Sequence, residues 1–324
     1  MMAELITLSA GGELEVDVLP YGATVCSIRF AGQELTLKYP QPSQYLTDEF
    51  CLGSTPGRVA NRITKGRFEL NGQQYQLACN NGPNHLHGGE QGFHRQHWQV
   101  VKQSAEMTEL YLRSEDGDQG YPGTLQVWLQ IRVVEQQLEL SYLAMSNQDT
   151  LVNLTNHCYF NLNHDAVNDS GSSIENHSLQ ISAEHYLPTD ANAIPTAELR
   201  AVAGTAFDFT VAKTIGPALA QQDEQLQLAH GFDHCYVWPQ SAADELKLMA
   251  TLQSPQSGRQ LQLWSTQPGL QLYTGNFLAS PFAPRQGVCL EAQGWPDAVN
   301  QPGFPAVVLK AAQLYQHHIV YKFS

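Results

Sequence analysis

The sequence predicts an all-β chain: a large antiparallel β-sandwich with a few short helices, residues 1–324 forming a single domain. Three observations lead there. Apolar and polar residues alternate with a period of two in stretch after stretch. Gly, Pro and Asn-Gly signals separate those stretches at short intervals. Helical periodicity is scarce, and no linker, low-complexity run or repeat divides the chain.

Taken in order, Leu14, Val16 and Val18 alternate with Glu13, Glu15 and Asp17, a half-buried strand. Phe68-Glu69-Leu70 runs into Asn71-Gly72, the strongest short hairpin signal. Leu125, Val127, Leu129, Ile131 and Val133 alternate with polar neighbours, and Leu138, Leu140 and Tyr142 return after Glu135-Gln136-Gln137. Leu246–Ala250 and Leu261–Trp264 form another hairpin around Pro255-Gln256-Ser257-Gly258. The helical expectations are short pieces near residues 196–201 and within 215–229, where Pro217 suits a first helical turn.

Composition narrows the function. Hydrophobic residues make up 42% and charged residues 15%, a globular balance. The formal net charge of -14 repels nucleic acid and anionic membranes and disfavours phosphorylated ligands, but leaves a neutral polar ligand such as a sugar unopposed. The start, from Met1 to Ile6, shows no signal-peptide pattern, and no apolar run is long enough to span a bilayer. The six scattered cysteines contain no Cys-x-x-Cys pair, so free thiols in a reducing cytoplasm are expected, and Asn153-Leu154-Thr155 is then a chance sequon.

The most informative stretch is Asn153–Leu162. In a strand, His157, Tyr159 and Asn161 share one face and Cys158, Phe160 and Leu162 the other. Imidazole, phenol and amide in one line suit a cleft gripping something polar; they equally suit a buried polar strand whose groups satisfy one another. Both readings stand on these residues alone.

Other polar groups cluster elsewhere. Gly57–Ile63 places Asn61 beside Arg62, and a loop or bulge there lets both reach one ligand; Arg58 and Arg62 could equally bind loop carbonyls. In Asn80–Gly89, His85 and His87 share a face if extended, but no Cys or acid lies at ligand spacing, which disfavours a metal. Asp116–Gly123 lacks the terminal bidentate Glu of a calcium loop and reads as turns. Asp233 could accept hydroxyl hydrogen bonds or fix a turn. Glu291 follows the apolar Val288–Leu290 and enters the interior from a strand end, where a carboxylate must be paired, for instance with Arg58 or Arg62, or used.

Seven segments in order together resemble the aldose 1-epimerase family, the galactose mutarotases in particular: GRVANRI (57–63), NNGPNHLHGG (80–89), GYPG (120–123), NLTNHCYFNL (153–162), GFDHCY (231–236), QLYTGNFL (271–278) and LEAQGWPDAVNQPGFP (290–305). The resemblance implies the mutarotase-like supersandwich and interconversion of α and β anomers of free aldohexoses such as galactose or glucose. It implies no metal and no organic cofactor. It makes Glu291 the base and His157 the acid, with Asn61, Arg62, His87, Asp233 and Gln271 holding the sugar and Tyr159 and Asn161 lining the same site. A free Glu, with a pKa of about 4.3, is already ionised at neutral pH, and a nearby carboxylate favours the charged imidazole.

The sequence departs from the family at Ser54-Thr55-Pro56, where an aromatic is usual, at His94, where many members carry an acid, and in a shortened segment between Gln271 and Glu291. These departures bear on the rim of the cleft and on sugar preference. Three alternatives fit the residues less well. A hexose-6-phosphate epimerase needs extra basic residues, a non-catalytic sugar-binding homologue needs no acid–base pair, and a glycoside hydrolase needs two flanking carboxylates. The expected partner is a small sugar, not nucleic acid or membrane, for a monomer or homodimer.

Overall fold

The longest alternating run of the sequence forms the longest hairpin of the fold. Leu125–Val134 pairs with Gln137–Ser146 antiparallel from Leu125↔Ser146 to Val134↔Gln137, turning through Glu135 at φ +54° and Gln136. The computed structural model describes residues 5–163, 172–238 and 245–324, so Met1–Glu4 lie outside it. Every strand ladder among the described residues is antiparallel, as the short punctuated strands require.

The hairpin belongs to a nine-stranded sheet. Its order is Lys213–Thr214, Ser178–Ile181, Lys247–Gln253, Gln260–Ser265, Leu314–Phe323, Gln137–Ser146, Leu125–Val134, Met107–Ser114 and Gln99–Gln103. A six-stranded sheet orders Tyr159–Phe160, Val288–Gln293, Gly269–Tyr273, Asp233–Val237, His185–Tyr186 and Arg200–Ala201. Four N-terminal strands form a further sheet. The inward residues of all three meet in one core, where Leu129, Ile131, Leu140 and Tyr321 join Val16, Ile28, Leu270 and Leu290. Burying each such side chain contributes about 1.5–3 kcal/mol.

Local chemistry explains the turns. Asn71 and Gly72 both take positive φ, 53° and 77°, the mirror-image turn that fits strand twist. The Leu246 hairpin forms as Lys247–Gln253 with Gln260–Ser265. Asp116 Oδ1 accepts the Gly123 amide at 2.6 Å, which makes that segment a turn.

Two helical expectations change. Residues 196–201 are not helical: Ala197 sits at φ +68°, and Arg200–Ala201 is a strand paired with His185–Tyr186. The 215–229 stretch splits into Ile215–Leu219 and Glu224–Leu228, because Asp223 caps the second piece by accepting the Gln225 and Leu226 amides.

Candidate active site

Strand Val288–Gln293 decides where the chemistry lies. Val288, Leu290 and Ala292 enter the core, which turns Cys289, Glu291 and Gln293 to the opposite face. Glu291 is therefore mid-strand, the fourth of six residues, rather than at a strand end. A cleft of about 220 Å³ opens over that face, and Asn61, Arg62, His87, His157, Tyr159, Asp233 and Glu291 line it.

His157 and Glu291, far apart in sequence, meet there: Nε2 to Oε1 is 3.6 Å. The other imidazole nitrogen, Nδ1, contacts Cys289 Sγ at 3.5 Å. The His157 backbone is held on both sides, its N–H donating to Ser54 O and its C=O accepting from Gly53 N, both at 3.0 Å. Glu291 is 3% exposed, and its Oε2 has no hydrogen-bond partner among the described residues.

Burial sets the protonation. It pushes His157 down to about 4. It also raises the Glu291 carboxyl well above the usual range, Asp233 adding to the effect and Arg62 opposing it. The expectation of a carboxylate already ionised beside a charged imidazole is thus corrected, because a dry site disfavours each charge taken singly. The two groups attract when both are charged: at 3.6 Å, an effective dielectric of 20 gives on the order of 4 kcal/mol. Burial disfavours the charge on His157 and on Glu291 alike, so it favours the neutral pair, and their mutual attraction works against it.

The remaining residues shape the grip. Asn61 takes φ +64°, the loop conformation that lets it and Arg62 face one cleft. Its N–H donates to His87 Nδ1 at 3.1 Å, while the His87 amide donates to Asn61 O at 3.1 Å. The His87 ring stands edge-on to His157, centroids 5.5 Å apart. Arg62 Nε donates to Asn81 Oδ1 at 3.0 Å, and its Nη1 lies 3.7 Å from Asp233 Oδ2. Gln271 is the cross-strand neighbour of Glu291; it does not line the cleft but donates from Nε2 to Asp233 Oδ1 at 2.6 Å. Tyr159 offers its ring, its hydroxyl being committed to Phe50 O at 3.0 Å.

Asn161 is corrected. Only Tyr159–Phe160 of its stretch is a strand, and the Asn161 amide turns away to donate to Gln286 O at 2.6 Å. Arg58 follows the structural reading, donating to Pro122 O at 2.8 Å, Gly123 O at 2.9 Å and Ser114 Oγ at 2.6 Å, and it pairs with no carboxylate among the described residues. His85 is likewise committed, to Ala78 O and to Tyr121 Oη. Ser54, Thr55 and His94 do not line the cleft; Ser54 supports the His157 backbone instead. The rim is built from Glu49, Phe50, Cys51, Asn81, Leu86 and Phe277, with Tyr273 deeper in. Tyr273 could have been read from its place two residues beyond Gln271 on the same strand face, whereas Glu49–Cys51 carried no signal.

His87, His157 and Glu291 bring their ligand atoms within 4.8 Å of one another, close enough for a metal on distance alone. The hydrogen bonds argue otherwise. His87 Nδ1 accepts the Asn61 amide, so its proton sits on Nε2, which is then a donor to a ligand oxygen rather than a bare lone pair.

A β-sandwich that holds an imidazole and a carboxyl group 3.6 Å apart in a small cleft lined by polar and charged side chains has the make-up of an enzyme acting on a small polar molecule. The family profile described as Aldose 1-epimerase matches residues 4–322. A galactose mutarotase of Bos taurus is 39% identical over 327 residues, covering 96% of this chain and 92% of its own. An aldose 1-epimerase of Escherichia coli is 36% identical over 334 residues, covering 98% and 94%. A solved aldose epimerase homologue from C. elegans superposes with a TM-score of 0.90 at 29% identity, covering 99% of both chains. The chain belongs to the aldose 1-epimerase family.

Proposed function

We propose that this enzyme interconverts the α and β anomers of free aldohexoses, with Glu291 as base and His157 as acid. Anomer interconversion follows from family membership; the residue roles and the free-hexose substrate are the proposal. The observation that carries the roles is the 3.6 Å approach of His157 Nε2 to Glu291 Oε1 inside a cleft sized for one small ligand.

Opening a cyclic hemiacetal removes the proton of the C1 hydroxyl and protonates the ring oxygen as the C1–O bond breaks. The pair serves both ends. In its ion-pair form the Glu291 carboxylate takes the hydroxyl proton while His157 Nε2–H gives one to the ring oxygen. The open-chain aldehyde rotates about C1–C2, and closure on the other face reverses both transfers. The pair ends as it began, and each proton transfer of this kind typically contributes about 10²–10⁴-fold. His87 Nε2–H, Arg62 and Asp233 hold ring oxygens still while C1 turns, and Gln271 holds Asp233.

Arg62 is the one Lys or Arg lining the cleft among the described residues, against Glu49, Asp233 and Glu291. This balance favours a free sugar over a phosphorylated one. Asp233, tied to Gln271 and facing Arg62, is placed to grip rather than to serve as a hydrolase's second carboxylate. No helix among the described residues is long and apolar enough to cross a membrane. All six cysteines are free, which supports a cytoplasmic setting. The single large core, drawing on residues from Ile6 to Phe323, supports one working domain.

Polarimetry of freshly dissolved α-D-galactose and α-D-glucose tests the proposal. Glu291→Gln and His157→Asn should each lower kcat by about 10²-fold or more with the fold intact. Full activity in either variant removes that residue from its role.

A further inference from the structure

A cavity larger than the catalytic cleft lies elsewhere on the molecule. About 380 Å³ in volume, it is lined by Trp238, Gln267 and Tyr315 among others, and it shares no residue with the cleft. That size falls in the ordinary range of small-molecule sites.

Its chemistry is selective. The chain carries 17 Lys and Arg and 31 Asp and Glu, yet no Lys, Arg, Asp, Glu or His side chain lines this cavity among the described residues. The polar groups are amides and hydroxyls: Asn153, Thr266, Gln267, Gln313, Tyr315 and Gln316. The apolar lining includes Trp238, Tyr315, Pro268 and Pro305. Among the described residues an anion would find no cation here and a cation no carboxylate. A ligand with neutral hydroxyls on its edges and a C–H face finds both kinds of partner.

The hydrogen bonds leave a donor to offer. The Tyr315 hydroxyl already accepts the Leu154 amide at 3.2 Å and Gln267 Nε2 at 3.3 Å. Both bonds use its lone pairs, so its own hydrogen is the group left for a ligand oxygen.

We propose that this cavity is a second, non-catalytic binding site for a neutral saccharide, gripped by Gln267 and Tyr315 and stacked on Trp238. Its occupancy does not depend on the roles assigned to Glu291 and His157, so failure of either reading leaves the other standing.

Maltose, which is neutral and larger than one pyranose, is the probe. It is titrated calorimetrically into Arg62→Ala protein, whose catalytic cleft is weakened, and into the same background carrying Trp238→Phe or Gln267→Ala. One saturable site in the Arg62→Ala protein, weakened about tenfold or more by each second substitution, is the expected result. Trp238→Phe and Gln267→Ala alone should leave galactose mutarotation unchanged, which also verifies their folding. No saturable binding in the Arg62→Ala protein, or binding indifferent to both second substitutions, overturns the site. Two independent variants keep the test decisive if one is unstable.

Discussion

Acid should unfold this protein before it titrates the active site. Five histidines are nearly or wholly buried: His157 at 5% exposure, and His85, His177, His234 and His317 at 0%. Burial lowers all five, His157 and His177 to about 4 and His234 and His317 to about 3. The hydrogen bonds favour the neutral rings, since His177 Nε2 accepts the Leu162 amide and His234 Nδ1 the Asp233 amide. A depressed histidine binds its proton more readily in the unfolded chain, so stability is complete above about 6.5 and falls as pH drops toward the folded values. Between pH 7 and 5 each histidine held at about 4 or below removes about 1.9 kcal/mol, those four together roughly 7–8 kcal/mol, and His85 acts in the same direction. Glu291, and to a lesser degree Asp48, act in the opposite sense, because their raised values mean that the native state keeps its protons. A single group cannot return more than about 2.7 kcal/mol over two pH units. The net loss is then roughly 4–5 kcal/mol, a large part of the usual 5–15 kcal/mol of a folded chain. Urea unfolding followed by circular dichroism at pH 7 and 5 measures it directly. His317→Phe is the control: the ring stacks on Tyr142 at 5.5 Å, its Nε2 has no hydrogen-bond partner among the described residues and its Nδ1 makes only a 3.5 Å contact with Thr266 Oγ1, so phenylalanine keeps the packing and removes one histidine's share. Unfolding free energies equal within about 1 kcal/mol at the two pH values would refute the reasoning.

Three further outcomes follow from the site. Gln271→Ala frees Asp233 from its 2.6 Å partner, so steady-state polarimetry should show KM for galactose rising about tenfold with a smaller change in kcat; an unchanged KM removes Gln271 from the grip. Glu49→Gln takes one exposed carboxylate from the rim, so kcat/KM for galacturonate relative to galactose should rise severalfold at low salt and converge on wild type at about 1 M salt. A salt-independent change would point to shape instead. Asn161→Ala should lower the thermal midpoint by several degrees, through loss of the bond to Gln286 O, and leave kcat near wild type; a large fall in kcat would restore Asn161 to the site.

Much of this was legible because the relevant signals were local. The hairpins at Asn71-Gly72 and Glu135-Gln136 follow from alternation and turn chemistry acting within a dozen residues. Asn61 and Arg62 were legible as a pair because only a departure from regular strand geometry could aim both at one ligand, and Asn61 at φ +64° supplies it. Asn161 was misplaced because period-two parity was extended beyond a strand only two residues long. Residues 196–201 failed for a related reason: a left-handed Ala197 and a distant strand partner outweighed local preference. The protonation of the pair was hidden for a different cause. Unperturbed values of Glu and His describe water, and nothing in the residue types reveals that both side chains lie in a dry cleft.

What holds the pair in place is hidden in the same way, because it is mostly main chain. Asn153 Oδ1 accepts the Gly294 amide at 2.7 Å, three residues beyond Glu291. Its Nδ2 donates to Ala60 O at 3.3 Å, beside Asn61, and its own carbonyl accepts the Ala60 amide at 2.7 Å. Four residues further on, His157 is pinned by Ser54 O and Gly53 N. One buried amide therefore ties together the three segments that carry Arg62, His157 and Glu291, although none of its bonds touches the cleft. Two groups set 3.6 Å apart to face one small ligand are sensitive to displacements of well under an ångström. The short loops around the site must consequently be as fixed as the strands, and this web of amide–carbonyl bonds makes them so.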